Sequence, residues 1–165
     1  MAFEIDSRIN PELLSVAWLI GHWEGTGNGR RPAGEDYEFS VSADFTENGG
    51  NYLHYIMQIF TTDEEGRPLL SLGMETGFWR PKADGEIELV LVHPEGIAEV
   101  YVGRAEGPKI ELRTDVVART VTADIPTTGG HRLYGNVESD MMFAYDRGTT
   151  EHDLEPYAWA RLKRV

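Results

Sequence analysis

Five histidines, seven tyrosines and no cysteine limit the chemistry this chain can carry. Without thiols there is no disulfide, no thiolate metal site and no cysteine nucleophile. His22, His54, His93, His131 and His152 include no pair at the i, i+4 spacing of a helix or the i, i+2 spacing of a strand. A zinc or non-haem iron centre draws on such pairs, so none is expected. There is no Gly-x-Ser-x-Gly elbow and no serine–histidine pairing that would support hydrolysis. The acids Glu35/Asp36 and Asp63/Glu64/Glu65 fall in turn-like segments, where solvated loop charge explains them. No catalytic residue is assigned on these grounds.

The motif that stands out is Gly21-His22-Trp23-Glu24-Gly25-Thr26-Gly27, a G-x-W-x-G-x-G run directly after the apolar segment Trp18-Leu19-Ile20. It carries no lysine and no helix follows it, so it is not a phosphate loop. Glycines in a strand let it bend sharply, and they let another backbone or a flat ligand come close. Trp23 would supply a large apolar wall, with Trp18, Trp79 and Trp159 as further core. His93, before Pro94 at a strand end, is placed to line the other side of a cavity. His152, in the acidic loop 150–153, would reach that cavity only if the loop folded back over its mouth.

The elements that must position these residues are almost all strands. Asn10-Pro11-Glu12-Leu13-Leu14 reads as a short N-terminal helix, with Asn10 as cap, Pro11 at the first position and Glu12 in the first turn. Thereafter Tyr37–Phe45, Asn51–Phe60, Leu69–Arg80, Glu86–Val92, Ala98–Gly103, Lys109–Val117, His131–Val137, Met141–Asp146 and Tyr157–Lys163 are rich in aromatic and β-branched residues. Turn signals separate them, among them Asn48-Gly49-Gly50, Asp84-Gly85, Gly107-Pro108 and Thr128-Gly129-Gly130. Roughly ten short strands spaced about 8–12 residues apart indicate a sandwich or a barrel, and closure into a barrel removes sheet edges. The expectation is a single all-β domain spanning 1–165, a roughly ten-stranded antiparallel barrel. Tyr52, Tyr55, Phe60, Phe78 and Phe143 are expected to face inward.

The formal charge of −13, from 28 acidic and 15 basic residues, repels phosphate backbones and anionic lipid, so neither nucleic acid nor membrane is an expected partner. The N-terminal residues read neither as a signal peptide nor as a membrane anchor. Absence of cysteine fits a reducing cytoplasm.

Three ordered motifs carry a resemblance across nearly the whole chain. They are the Gly21–Gly27 run, the Gly96–Gly103 segment GIAEVYVG, and the final strand Leu154-Glu155-Pro156-Tyr157-Ala158-Trp159-Ala160-Arg161-Leu162-Lys163-Arg164. In these the chain resembles the nitrobindin family. The resemblance implies a compact ten-stranded barrel, similar in outline to fatty-acid-binding proteins, with haem b at one mouth. Its members hold ferric iron through one histidine on the last strand, in a segment reading roughly Q-P-H-L. They bind nitric oxide and isomerise peroxynitrite to nitrate.

This sequence departs from that pattern at two places near the cofactor. Glu155-Pro156-Tyr157-Ala158 puts Tyr157 where the histidine belongs. Arg31-Pro32-Ala33-Gly34 replaces a Y-P-T-I continuation, keeping Pro32 and putting Ala33 in place of the threonine. Tyrosinate can ligate ferric haem, but a phenol with an ordinary pKa of about 10 needs the iron or a nearby arginine to favour its anion. Arg161, four residues along the same strand, is the candidate arginine.

The expected site is therefore Tyr157, Gly21, Trp23, Gly25, Gly27, Pro32, Ala33 and His93, with Tyr157 as the iron ligand if iron is held at all. The expected occupant is a small apolar ligand inside the barrel, or haem held weakly, with no resident cofactor expected though haem b is possible. The alternative is a haem-b protein of the nitrobindin type, with Tyr157 as axial ligand and peroxynitrite isomerase activity. A monomer or homodimer is expected.

Overall fold

Ten strands follow one another in chain order around a closed antiparallel barrel in the computed structural model, which describes residues 4–31, 34–123 and 126–165. They are β1 Gly21–Arg30, β2 Asp36–Thr46, β3 Leu53–Thr62, β4 Pro68–Pro81, β5 Glu86–His93, β6 Ile97–Glu106, β7 Lys109–Arg119, β8 Thr127–Val137, β9 Asp140–Thr149 and β10 Glu155–Arg164. The last strand pairs with the first, from Trp23↔Arg164 to Gly29↔Ala158, and that seam closes the sheet. The roughly ten-stranded barrel read from the sequence is thus the observed architecture.

Alternation decides which side chains enter. Along β2, Phe39, Val41, Ala43 and Phe45 are buried, and along β5 Ile87, Leu89 and Leu91 are, with Ser42, Asp44, Glu88 and Val90 between them partly exposed. Tyr55, Trp79 and Phe143 point inward. Phe78 does not: as the neighbour of inward Trp79 it must face out, where it meets Tyr52 and His54. Trp159 likewise faces out between buried Ala158 and Ala160, with the Arg30 guanidinium over its ring.

One end of the barrel is plugged by the N-terminal segment. The helix expected there is a 3-10 turn, Pro11–Leu13, followed by a second such turn, Ala17–Leu19. Asn10 does cap the first, its Oδ1 accepting from the Glu12 amide at 3.0 Å. The turns stay short because Leu13, Val16 and Leu19 must all enter the barrel end, where they join Trp23, Phe45 and Leu53 in the core. Trp23 Nε1 donates to the Leu19 carbonyl at 2.7 Å. Arg164 lies 4.2 Å from the Trp23 ring centroid and donates to the carbonyls of Trp18 and Ile20, tying the last strand to the plug.

Two irregularities shape the opposite end. Thr128-Gly129-Gly130, expected as a turn, lies inside β8, where register shifts between Thr127 and Gly129. Gly130 stays in the sheet because its amide donates to Thr114 Oγ1 at 2.6 Å. In β10 the register shifts between Pro156 and Ala158, so Tyr157 is the extra residue of a bulge. A bulge re-aims the side chain that it carries.

Candidate functional site

The open end of the barrel leads into a cavity of about 120 Å³. Its upper wall is apolar: Phe39, Met57, Ile59, Leu72, Met74, Ile97, Phe143 and Ala158. The start of β4 extends this wall outward, because β4 pairs with β5 only from Thr76 onward and leaves Leu69, Leu70 and Leu72 exposed beside the mouth.

Beneath the apolar wall lies a charged cluster. Arg132 is 3 % exposed and makes a bidentate contact with Glu75, Nη1 to Oε1 at 2.6 Å and Nη2 to Oε2 at 2.9 Å. Its Nη1 also reaches the Tyr134 hydroxyl at 3.3 Å. Tyr55 donates to Glu75 Oε1 at 2.7 Å. Glu99, 1 % exposed, accepts from Tyr101 at 2.9 Å, lies 2.7 Å from His93 Nε2 and 3.8 Å from Arg132 Nη2. His93 Nδ1 faces Glu75 at 3.8 Å. Each strand supplies one inward charge in an otherwise apolar phase, Glu75 in step with Trp79, Glu99 with Ile97 and Tyr101, and Arg132 with Tyr134.

Electrostatics follow from this packing. Burial pushes the Glu75 carboxyl up, but the Arg132 charge and hydrogen bonds outweigh it and leave the group below its ordinary value. For Glu99 burial again acts upward and is overcome by the hydrogen bond from His93 and the charge of Arg132. Burial acts to lower Arg132, yet Glu75 and the surrounding tyrosines hold it far above the ordinary guanidinium range. Tyr55 and Tyr145 are raised well above 10 by burial, and Tyr134 is pushed up to about 12.

From this cluster a chain of stacked guanidinium and phenol groups climbs to the rim. Arg132 lies 5.0 Å from the Tyr101 ring centroid and 4.2 Å from that of Tyr145; Tyr145 packs edge-on against Tyr157 at 5.4 Å; Arg147 covers Tyr157 at 3.8 Å. The bulge in β10 thus delivers Tyr157 to the cavity wall, half-buried, under Arg147. Arg161, the arginine expected beside Tyr157, is elsewhere. The bulge breaks the offset-four relation, and Arg161 pairs outside the barrel with Asp140 at 2.6 Å and Glu138 at 3.3 Å.

Of the expected site residues, the cavity brings together Tyr157 and His93. Trp23 belongs to the plugged end. Gly21 has φ +132°, with the Arg164 side chain against it. A Cβ on Gly25 would overlap the Arg161 carbonyl of β10, so this glycine serves the close approach of β1 and β10 at the seam. A Cβ on Gly27 would overlap the Trp159 carbonyl and Ala160 of β10 as well as the Phe39 ring, and one on Gly29 would overlap the Tyr37 ring of β2. Pro32 and Ala33 lie outside the described residues. The remaining histidines do not line the cavity: His22 pairs with Asp44 and Glu24, His54 contacts Thr76, His131 pairs with Glu111, and His152 is exposed in its loop. Among the described residues no group of three or more histidines and carboxylates is arranged to hold a metal ion.

Glu75, Glu99, Arg132, Tyr145 and Arg147 are the site residues that sequence reasoning missed. For the first three the signal was available: a charge in the buried phase of an alternating strand is an anomaly that asks for partners.

Residues 12–164 match the family model described as the THAP4-like, haem-binding β-barrel domain. The chain belongs to that family. Among its relatives, a ferric nitrobindin-like protein of Cutibacterium acnes is 52% identical over 165 residues, covering 99% of each chain. A protein of Nocardioides sp. named peroxynitrite isomerase is 42% identical over 164 residues, again with 99% of each chain covered. The crystal structure of Rv2717c from M. tuberculosis superposes with a TM-score of 0.80 at 29% identity, covering 95% of this chain and 99% of that one. The THAP4-like barrel is thus shared from end to end. No helix among the described residues is long and apolar enough to cross a membrane.

Proposed function

We propose that this THAP4-like barrel is a small-molecule carrier or sensor that takes an apolar ligand into its mouth cavity. In this reading it lacks the histidine-ligated ferric haem of the nitrobindin pattern, and with it peroxynitrite isomerase chemistry. The observation that carries the reading is Tyr157, which occupies the cavity wall at the β10 bulge, in the segment where that pattern has its iron-binding histidine.

The donor set argues the same way. His93 is the one histidine of the cavity wall among the described residues, and both its nitrogens face carboxylates, Nε2 at 2.7 Å and Nδ1 at 3.8 Å. A metal on Nε2 would have to displace its hydrogen bond to Glu99, and one on Nδ1 would have to enter beside the Glu75 carboxylate that Arg132 already holds. The residues present therefore do not fit a histidine-bound haem. Absence of thiols and the negative charge suit a protein working in the cytoplasm, as a monomer or homodimer.

Titration of the purified protein with hemin, followed in the visible spectrum, tests this. The reading expects a spectrum that stays that of free hemin. A sharpened Soret band saturating near one equivalent would overturn it. Loss of that band in Tyr157→Phe would then establish the tyrosinate-ligated alternative.

A further inference from the structure

The charged groups of the cavity wall fall into two sets, and the difference between them fixes what head group a ligand can carry, an inference that rests on the small-molecule reading above. Apart from phenols, the ionisable side chains of that wall are Glu75, His93, Glu95, Glu99, Arg132 and Arg147. Four of them close on one another at depth. Arg132 holds Glu75 through two hydrogen bonds and lies 3.8 Å from Glu99, which His93 Nε2 meets at 2.7 Å. An anion brought to that depth would face two carboxylates already gathered around one guanidinium.

Arg147 is placed differently. It stands at the rim, half-buried, 3.8 Å from the Tyr157 ring centroid, and has no hydrogen bond or ion pair among the described residues. Glu155, its register partner on β10, is exposed and makes no ion pair with it. The buried side-chain atoms without a partner belong to Trp18, Ser40, Trp79 and Arg132, so the Arg147 nitrogens and the equally unpartnered Tyr157 hydroxyl are open to solvent. A second cation lies nearby, since Arg31 covers the Tyr37 ring at 5.3 Å. Burial raises the Tyr37 phenol and Tyr157 adds to that, while Arg31 and Arg147 both act downward, so the four groups are neighbours on one side of the mouth. The rings of Tyr145 and Tyr157 stand between them and Arg132 with its two acids. Glu95 sits in the β5–β6 turn beside Gly73, across the mouth from β9 and β10.

We propose that the cavity binds an amphiphilic anion, its apolar body against Phe39, Ile59, Met74 and Phe143 and its head, in the simplest case a carboxylate, at the rim on Arg147 and the Tyr157 hydroxyl. The guanidinium fork matches the two oxygens of a carboxylate, and the phenol donates a further hydrogen bond. An ammonium head would meet two guanidinium groups there, and an alcohol would leave the Arg147 charge without a counter-ion.

The test uses the intact protein and three six-carbon probes that share one chain: hexanoate, 1-hexanol and hexylammonium. Calorimetric titration at neutral pH and low salt is expected to give hexanoate binding on the order of tenfold tighter than the other two, a difference of about 1.4 kcal/mol. In Arg147→Ala, a change at the rim that leaves the apolar wall in place, hexanoate is expected to fall to the affinity of hexanol while hexanol keeps its own. Hexanol binding as tightly as hexanoate, or a preference for hexanoate that survives in Arg147→Ala, would overturn this inference and leave the small-molecule reading standing. Binding by none of the three would overturn it too, and a one-equivalent hemin complex alongside would remove the small-molecule reading as well.

Discussion

Replacing Arg132 by methionine tests whether the interior is held by a compensated ion cluster. Methionine keeps much of the apolar stem but removes the charge, leaving Glu75 and Glu99 buried without a guanidinium. Breaking a buried ion pair from one side costs about 3–5 kcal/mol, because the surviving charge has lost its partner. For a chain of this length that is a drop in melting temperature on the order of 10 °C. The cost must also depend on pH. In the wild type both carboxyls titrate below their ordinary 4.5, so their contribution to stability is complete above that value and is lost as pH falls through the lower folded values. In the variant, burial without Arg132 raises both carboxyls, which take up protons earlier and have no such contribution to lose. Urea unfolding of both proteins at about pH 7.5 and about pH 3.5 should therefore show a large stability difference that shrinks on acidification. A difference under about 1 kcal/mol at neutral pH, or one independent of pH, would refute the reasoning.

Other consequences are simpler to check. Gly25→Ala forces a Cβ into the Arg161 carbonyl and the Leu162 backbone at the seam, so it should lower stability by about 1–3 kcal/mol in a thermal melt; an unchanged melt would mean that β1 and β10 are not so close. The buried phenols Tyr55, Tyr134 and Tyr145 all titrate above 10, with Tyr134 near 12. Their raised values mean that the stability they contribute is complete below pH 10 and is lost as pH rises through the folded values. Phenolate absorbance should thus grow together with loss of the far-ultraviolet β signal, and phenolate formation in a barrel that stays folded would contradict this burial. Arg147→Ala removes the cation 3.8 Å above Tyr157 at the rim and should change stability by no more than about 1 kcal/mol, read by urea unfolding.

The fold was legible because a barrel wall imposes period-two alternation on every strand, and the segments from Tyr37 to Lys163 kept that period. The turn chemistry at Asp84-Gly85 and Gly107-Pro108 was legible too, since left-handed backbone at Gly85 (φ 77°) and Gly107 (φ 57°) favours glycine. What failed was local geometry decided by neighbours. Thr128-Gly129-Gly130 looks like a turn in isolation, yet Gly129 and Gly130 pair with Gly148 and Arg147 of β9, Thr128 is the residue left out of register, and the Gly130 amide donates to Thr114 of β7. Arg161 looked in phase with Tyr157 until the bulge at Tyr157 took the two residues out of step. The glycine motif was rightly singled out as unusual, yet whether its open space would hold a ligand, Phe39 or a neighbouring strand is a question of tertiary packing. Glu75, Glu99 and Arg132 come from three strands, with Glu75 and Arg132 57 positions apart in the sequence, so their meeting is visible only once the barrel closes.

The most direct test of the central claim compares hemin binding by the wild type with that of Tyr157→His. The side chain at this position lies on the cavity wall, so a histidine here would add an imidazole that, unlike His93, is not hydrogen-bonded to Glu99. The account predicts a one-equivalent complex with a sharpened Soret band in Tyr157→His and a spectrum like free hemin in the wild type. An equally tight, equally sharp complex in the wild type would contradict it.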